Sequence, residues 1–176
     1  MPIKTIFLDR DGVINEEVNY LHETKDFKFI NGIFQTCLYF KKLNYKIIVI
    51  TNQSGIGRGL YTENDFQKIT TWMLKQFKKN GVDILEVYHC PHLPDGSCDC
   101  RKPKPGMFLE SKNKHNIDMK SSWMIGDKEI DITSANNAGI TNTILVRSGH
   151  KIDEESSQAK YIIDSICHAR EIISEY

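Results

Sequence analysis

At 176 residues the chain has the length of one ordinary domain and can bury well over half of its unfolded surface, which leaves no room for a second full domain. Its 23 Lys and Arg balance 23 Asp and Glu, which excludes a net field able to gather nucleic acid or an anionic membrane; an anionic small-molecule partner needs a local cluster of cations. No apolar run approaches the ~20 residues that span a bilayer, and Met1 to Lys4 lead straight into an apolar run, so a cytoplasmic protein with no membrane partner is expected.

Short apolar runs of strand length fall at 3–8, 47–50, 84–89, 122–125, 143–146 and, weakly, 161–163. Between them, 33–43, 63–80, 106–115, 130–138 and 166–174 carry apolar residues at helical spacing, as in Phe66, Ile69, Trp72, Met73 and Phe77. Thr62 with Asp65 caps the second helical stretch, Gly81 follows its end, and Gly139 follows the end of the stretch 130–138. Alternation of strand and helix predicts an α/β fold, doubly wound, with a mostly parallel sheet sandwiched by helices. Two segments break the pattern, the polar and aromatic 15–31 and the Pro/Cys-rich 90–105. Long irregular insertions in a compact fold are usually functional.

The chemistry-bearing residues cluster at the predicted carboxyl ends of the strands, where such sheets bind ligands. After the first comes Asp9-Arg10-Asp11-Gly12-Val13. Alternation along an extended chain aims Asp9 and Asp11 at one spot, where two carboxylates need a metal or a shared proton; a plain acidic turn is the alternative. The second strand leads into Thr51-Asn52-Gln53-Ser54-Gly55-Ile56-Gly57-Arg58-Gly59, either a donor-rich cradle for phosphate or an ordinary turn. Beyond the third, Arg101-Lys102-Pro103-Lys104-Pro105 is a solvated charge run or, with prolines fixing its direction, a preorganised anion clamp. The fourth ends at Gly126-Asp127-Lys128-Glu129-Ile130-Asp131, another strand-end carboxylate or a helix cap with acids in its first turn.

The five cysteines are odd in number, and three of them lie within 90–100, which suits reduced thiols or a metal better than disulfides. Cys90, His92, Cys98 and Cys100 offer four soft or borderline ligands in one Pro/Gly-rich loop, the donor set of a closed tetrahedral Zn²⁺ site. With no position left for water, such a zinc is structural, and Cys100 abuts Arg101 and Lys102. His89 is not expected among its ligands, and Cys37 and Cys167 fall on helical patterns as core or surface thiols.

Taken together in this order, the motifs resemble the haloacid dehalogenase superfamily of phosphotransferases from residue 3 to about 149. The resemblance implies a haloacid dehalogenase-like Rossmannoid domain over 1–176 with no large cap, only the short insertion 15–31 and the zinc loop 90–100. It makes Asp9 the nucleophile that forms an aspartyl-phosphate and Asp11 the general acid and base. Catalytic Mg²⁺ would be held by Asp9, the carbonyl of Asp11 and Asp127, with Thr51, Arg101 and Lys102 on the phosphoryl oxygens. Lys104 stands near enough to be the alternative to Lys102, and Asp131 is expected to buttress the loop.

The long strings around Asp9, Thr51 and Cys98-x-Cys100-Arg101-Lys102-Pro103-x-Pro105-Gly106-Met107 narrow the resemblance to the zinc-loop branch acting on heptose bisphosphates, with the histidinol-phosphate phosphatases as near relatives. This implies a monomeric, cytoplasmic enzyme for a small sugar bisphosphate in the synthesis of nucleotide-activated heptose for surface glycans. A zinc-stabilised binding protein that has lost catalysis would lack an acid or nucleophile, and both are present. Glu17, Val18, Asn19, Tyr20, Asn52, Gln53, Ser54 and Lys128 would line the substrate pocket, Lys128 facing the phosphate that is not hydrolysed. Asn19 replaces a glycine common in that branch, and its tolerance of left-handed backbone angles is expected to keep the turn.

Overall fold

The computed structural model describes residues 1–174. Six strands, β1 (Thr5–Leu8), β2 (Lys46–Asn52), β3 (Glu86–Cys90), β4 (Trp123–Gly126), β5 (Asn142–Val146) and β6 (Tyr161–Ile163), pair in the order β3-β2-β1-β4-β5-β6. Every pairing is parallel. Helices α1 (Ile33–Lys42), α2 (Ser54–Gly57), α3 (Glu63–Lys79), α4 (Gly106–His115), α5 (Glu129–Asn137) and α6 (Ala169–Ile172) lie between and after them.

The near-continuous apolar strands follow from burial on both faces. Ile6, Leu8, Ile47, Val49, Ile125 and Ile144 pack with Ile33, Phe40, Ile69, Met73 and Phe77 of α1 and α3. Phe7, Ile48, Ile50 and Met124, one residue out of phase, pack with Met107, Phe108 and Ala135 of α4 and α5. Segment 15–31 has only a single 3₁₀ turn, Thr24–Asp26, yet Leu21, Phe27 and Ile30 join the first core. Phe27 and Phe29 meet Trp72 with ring centroids 5.3 and 5.7 Å apart, which pins the insertion to α3 instead of leaving it as a separate cap.

Pairing shifts several expected boundaries. β1 starts at Thr5, Ile3 making only an isolated bridge to Ile117, whereas β2 runs on to Asn52 and β3 to Cys90. The loop after β2 holds the single-turn helix α2, which its glycines had obscured. The last expected helix, 166–174, resolves into a 3₁₀ turn, Ile166–His168, and the short α6. Strand order reverses at β1, so the carboxyl ends of β1 and β4 lie side by side, with the Asp9 N–H donating to the Ile125 carbonyl at 3.0 Å. That reversal is where an open α/β sheet leaves a crevice.

Candidate active site

Asp9, Asp127 and Asp131 converge beneath this crevice, each offering a carboxylate oxygen within 4.8 Å of the others. All three are buried, Asp127 and Asp131 completely. Lys102 answers them: its Nζ lies 3.0 Å from Asp9 Oδ1 and 2.6 Å from Asp131 Oδ1, and donates to the Ile50 carbonyl at 2.8 Å. The ammonium is thus enclosed by two carboxylates and one carbonyl, and Lys102 acts on the site through Asp9. Burial pushes the Asp9 carboxyl up to about 6 against the pull of Lys102, with Asp131 and Asp11 adding to the rise. Burial and then the charges of Asp9 and Asp131 push Asp127 up to about 7. Burial opposes the Lys102 charge, but Asp131 and Asp9 more than offset it and hold the ammonium above its usual range.

Loop geometry fixes these groups. Asp131 Oδ2 accepts the N–H groups of Asp127 and Lys128 at 3.2 and 3.1 Å, which caps α5 and buttresses the β4 loop as expected. Asp127 itself is not the cap residue. It fits between Gly12 (φ 84°) and Gly149, where a Cβ on either would strike its carboxylate. His150, which the sequence reading missed, donates its N–H to Asp127 Oδ2 at 3.1 Å and places Nδ1 2.6 Å from the same oxygen. The Gly149-His150 pair after β5 was the signal. Asp127 Oδ1 is buried with no hydrogen-bond partner among the described residues.

Asp11 stands across the crevice, clamped from several sides. Arg10 Nε and Nη2 donate to its Oδ1 at 3.1 and 2.9 Å, and Nη2 also reaches Oδ2 at 2.9 Å. Asn15 Nδ2 adds a donor to Oδ1 at 3.0 Å and Gln53 Nε2 one to Oδ2 at 3.1 Å. Gln53 Nε2 also donates to Thr51 Oγ1 at 2.8 Å, and the Tyr61 hydroxyl donates to Gln53 Oε1. Asn52 lines the crevice, but both ends of its amide are engaged: Nδ2 donates to the Lys102 carbonyl and Oδ1 accepts the Lys102 N–H, each at 3.1 Å. It therefore pins the cation loop to β2.

The resulting cleft, about 200 Å³, is lined by Asp9, Asp11, Glu17 to Tyr20, Thr51 to Ser54, Arg101, Lys102, Lys128, Asp131 and His150. The expected site residues outside the zinc loop thus meet in one place, Asp127 lying just below. Burial and the nearby Asp11 charge raise the pKa of Glu17. Tyr20, not Asn19, takes the left-handed conformation, at φ 58°. Lys104 is excluded from the cleft, its Nζ donating to the Cys98 carbonyl at 2.6 Å. Arg101 lines the cleft while its Nη1 reaches the His92 carbonyl at 3.3 Å.

Cys90, His92, Cys98 and Cys100 form the expected second cluster at the end of β3, with all cysteines free thiols. Cys90 Sγ lies 3.0 Å from Cys100 Sγ and 3.7 Å from Cys98 Sγ, and His92 Nδ1 is 3.2 and 3.4 Å from the sulfurs of Cys100 and Cys90. The edges of a tetrahedron around a cation with 2.3 Å bonds to sulfur measure roughly 3.7 Å, close to these spacings. His89 stays out of the cluster, its Nε2 3.0 Å from Glu63 Oε2.

Sheet order, strand-end carboxylates and the buried lysine define a haloacid dehalogenase-like phosphatase, and the HAD-hyrolase-like family matches residues 99–169. The chain is 47% identical over 164 residues to the D-glycero-alpha-D-manno-heptose-1,7-bisphosphate 7-phosphatase of Photorhabdus laumondii, covering 89% of this chain and 90% of the relative. It is 44% identical over 168 residues to the same organism's D-glycero-beta-D-manno-heptose-1,7-bisphosphate 7-phosphatase, covering 92% and 89%. The crystal structure of D,D-heptose 1,7-bisphosphate phosphatase from B. bronchiseptica, complexed with magnesium and phosphate, superposes with a TM-score of 0.84 at 26% identity and covers 97% of each chain. The chain belongs to the D-glycero-D-manno-heptose-1,7-bisphosphate 7-phosphatase family.

Proposed function

We propose that the chain hydrolyses the 7-phosphate of D-glycero-D-manno-heptose 1,7-bisphosphate, with Asp9 as nucleophile and Asp11 as general acid and base. The observation that carries this is the convergence of both carboxylates on a cleft whose floor holds Lys102 and whose wall carries Arg101 and Lys128. Cations at separate points suit a substrate with two phosphates.

The Lys102 ammonium, 3.0 Å away, and the Arg10 N–H, donating at 2.8 Å, both fall on Asp9 Oδ1, which leaves Oδ2 to attack phosphorus. As that bond forms, the bond from phosphorus to the sugar oxygen breaks, and the Asp11 carboxyl gives its proton to the departing alkoxide. Asp11, now a carboxylate, takes a proton from water, whose oxygen attacks the aspartyl-phosphate. Inorganic phosphate leaves and Asp9 is restored. Arg101 and Thr51 line the space for the phosphoryl oxygens, and Lys128, with Glu17 to Tyr20, faces the remainder of the substrate.

Three buried carboxylates and one ammonium leave two negative charges at the floor, and Asp127 Oδ1 has no partner, so the donors fit a divalent cation with hard-oxygen preference. Asp9, the Asp11 carbonyl and Asp127 would hold Mg²⁺, which supplies charge neutralisation that lets an anion approach a phosphate. The Cys90, His92, Cys98 and Cys100 set fits structural Zn²⁺, which ties the loop that carries Arg101 and Lys102. A monomeric, cytoplasmic domain over 1–176 acting toward nucleotide-activated heptose belongs to the same reading; among the described residues no helix is long and apolar enough to cross a membrane.

Asp9→Asn is the direct test. Phosphate release from the bisphosphate is expected to vanish while the melting temperature and zinc content stay at the wild-type values. Turnover retained by this variant refutes the nucleophile assignment.

A further inference from the structure

The mechanism above leaves one buried charge without a task. Arg10 is 1% exposed, and its guanidinium stacks near the Phe66 ring, with Cζ 5.9 Å from the centroid. A buried ion pair is a poor source of stability, because desolvating both partners offsets their attraction and an apolar side chain of equal volume often serves as well. What Arg10 does supply is geometry. Its own N–H fixes Asp9 Oδ1 at 2.8 Å while its guanidinium fork grips Asp11, so one residue sets both carboxylates. The fork is in turn anchored by contacts of Nη2 to the Leu21 carbonyl and Gln53 Oε1, each at 3.4 Å.

The clamp is lopsided. Asp11 Oδ1 receives three donors, from Arg10 Nε, Arg10 Nη2 and Asn15 Nδ2, whereas Oδ2 receives two, from Arg10 Nη2 and Gln53 Nε2. Nη2 bridges the two oxygens, so Oδ1 is the more crowded of the pair and the guanidinium fork fixes the plane of the carboxyl. A lysine could supply the charge but not the planar fork that fixes the carboxyl plane.

We propose that Arg10 is the positioning residue for the general acid: its fork holds the plane of the Asp11 carboxyl beside Asp9, so that the less crowded Oδ2 can serve the leaving oxygen. This rests on the reading of Asp11 as the acid, so the test must separate the two. Wild type, Arg10→Met, Arg10→Lys and Asp11→Asn are compared in single-turnover experiments with enzyme in excess. One substrate is the heptose bisphosphate, whose alkoxide needs a proton to leave; the other is p-nitrophenyl phosphate, whose phenolate does not.

With Arg10→Met, release of the sugar is expected to slow about 100-fold and release of nitrophenolate to stay within about threefold, since general acid catalysis typically contributes 10²–10⁴. Arg10→Lys is expected to show the same split at roughly a tenth of its size, and it carries the test if the methionine variant does not fold. A structural role for Arg10 would slow both substrates alike. Asp11→Asn without a split overturns the assignment of the acid and the proposal with it. A split in Asp11→Asn, with equal slowing of both substrates or none in the Arg10 variants, overturns the positioning role alone.

Discussion

Replacing Lys102 by methionine keeps the length of the side chain and deletes the single ammonium at the floor of the site. Lys102 is 2% exposed, and its partners Asp9 and Asp131 are 7% and 0% exposed, so solvent does little to screen the charges left behind. Breaking a buried ion pair by removing one partner costs about 3–5 kcal/mol. Here one substitution strands two carboxylates, but Asp9, already pushed up to about 6, relieves part of the strain by taking a proton. We therefore expect a loss of about 4 kcal/mol at pH 8 in magnesium-free buffer with zinc retained. For a chain of this length that lowers the melting temperature by roughly 8–16 °C. The assay is thermal melting of both proteins at pH 8 and pH 5.5. Protonation of the stranded carboxyls should shrink the difference at the lower pH. A loss below about 1 kcal/mol at pH 8, or one that grows on acidification, would refute the assignment of Lys102 as the counter-charge of this cluster.

Asp127 gives a pH dependence of defined sign. Its carboxyl stands at about 7 in the fold against an ordinary 3.8, so between those values the folded chain holds a proton that the unfolded chain has released. The associated stability is full below the lower value and lost as pH rises through the upper one. Relative to Asp127→Asn, the magnesium-free wild type should lose about 2 kcal/mol between pH 5.5 and 7.5 in denaturant titrations; parallel curves would contradict this. Verified removal of zinc should lower the melting temperature by several degrees and slow phosphate release, because Cys100 abuts Arg101 and Lys102 and Gly106 N–H donates to the Asp99 carbonyl at 3.2 Å. An unchanged melting temperature after removal would sink that account.

The four strand-end motifs were legible in the sequence because each follows an apolar run long enough to mark a buried strand. Asp9 and Asp127 then meet because β1 and β4 are neighbours. Less legible was what each side chain does with its hydrogen bonds. Thr51 and Gln53 look alike in sequence as donors for phosphate, yet Gln53 divides its amide between Asp11 and Thr51. Asn52 reads as a substrate contact but is bound at both ends to the Lys102 backbone, a contact fifty residues away in the chain. Nothing local announces such a partner.

Arg10 escaped notice for a related reason. Alternation along an extended chain places it opposite Asp9 and Asp11, and only a long side chain folding back can reach Asp11. His150 escaped because it follows β5, a strand with no acidic motif, and its role depends on Gly149 letting Asp127 approach. The turn expected at Asn19 moved by one residue, to Tyr20, whose carbonyl lies 2.7 Å from His22 Nδ1. An aromatic residue in the left-handed region carries strain, which is commonly stored beside functional sites.

Removal of one particular phosphate by the Asp9 site is tested by incubating the purified protein with Mg²⁺ and each anomer of heptose 1,7-bisphosphate and following the phosphorus resonances of substrate and product, with histidinol phosphate run in parallel. The C7 phosphate is expected to be lost with the C1 phosphate kept, and release from histidinol phosphate to be slower. Release of the C1 phosphate, or faster turnover of histidinol phosphate, would contradict this.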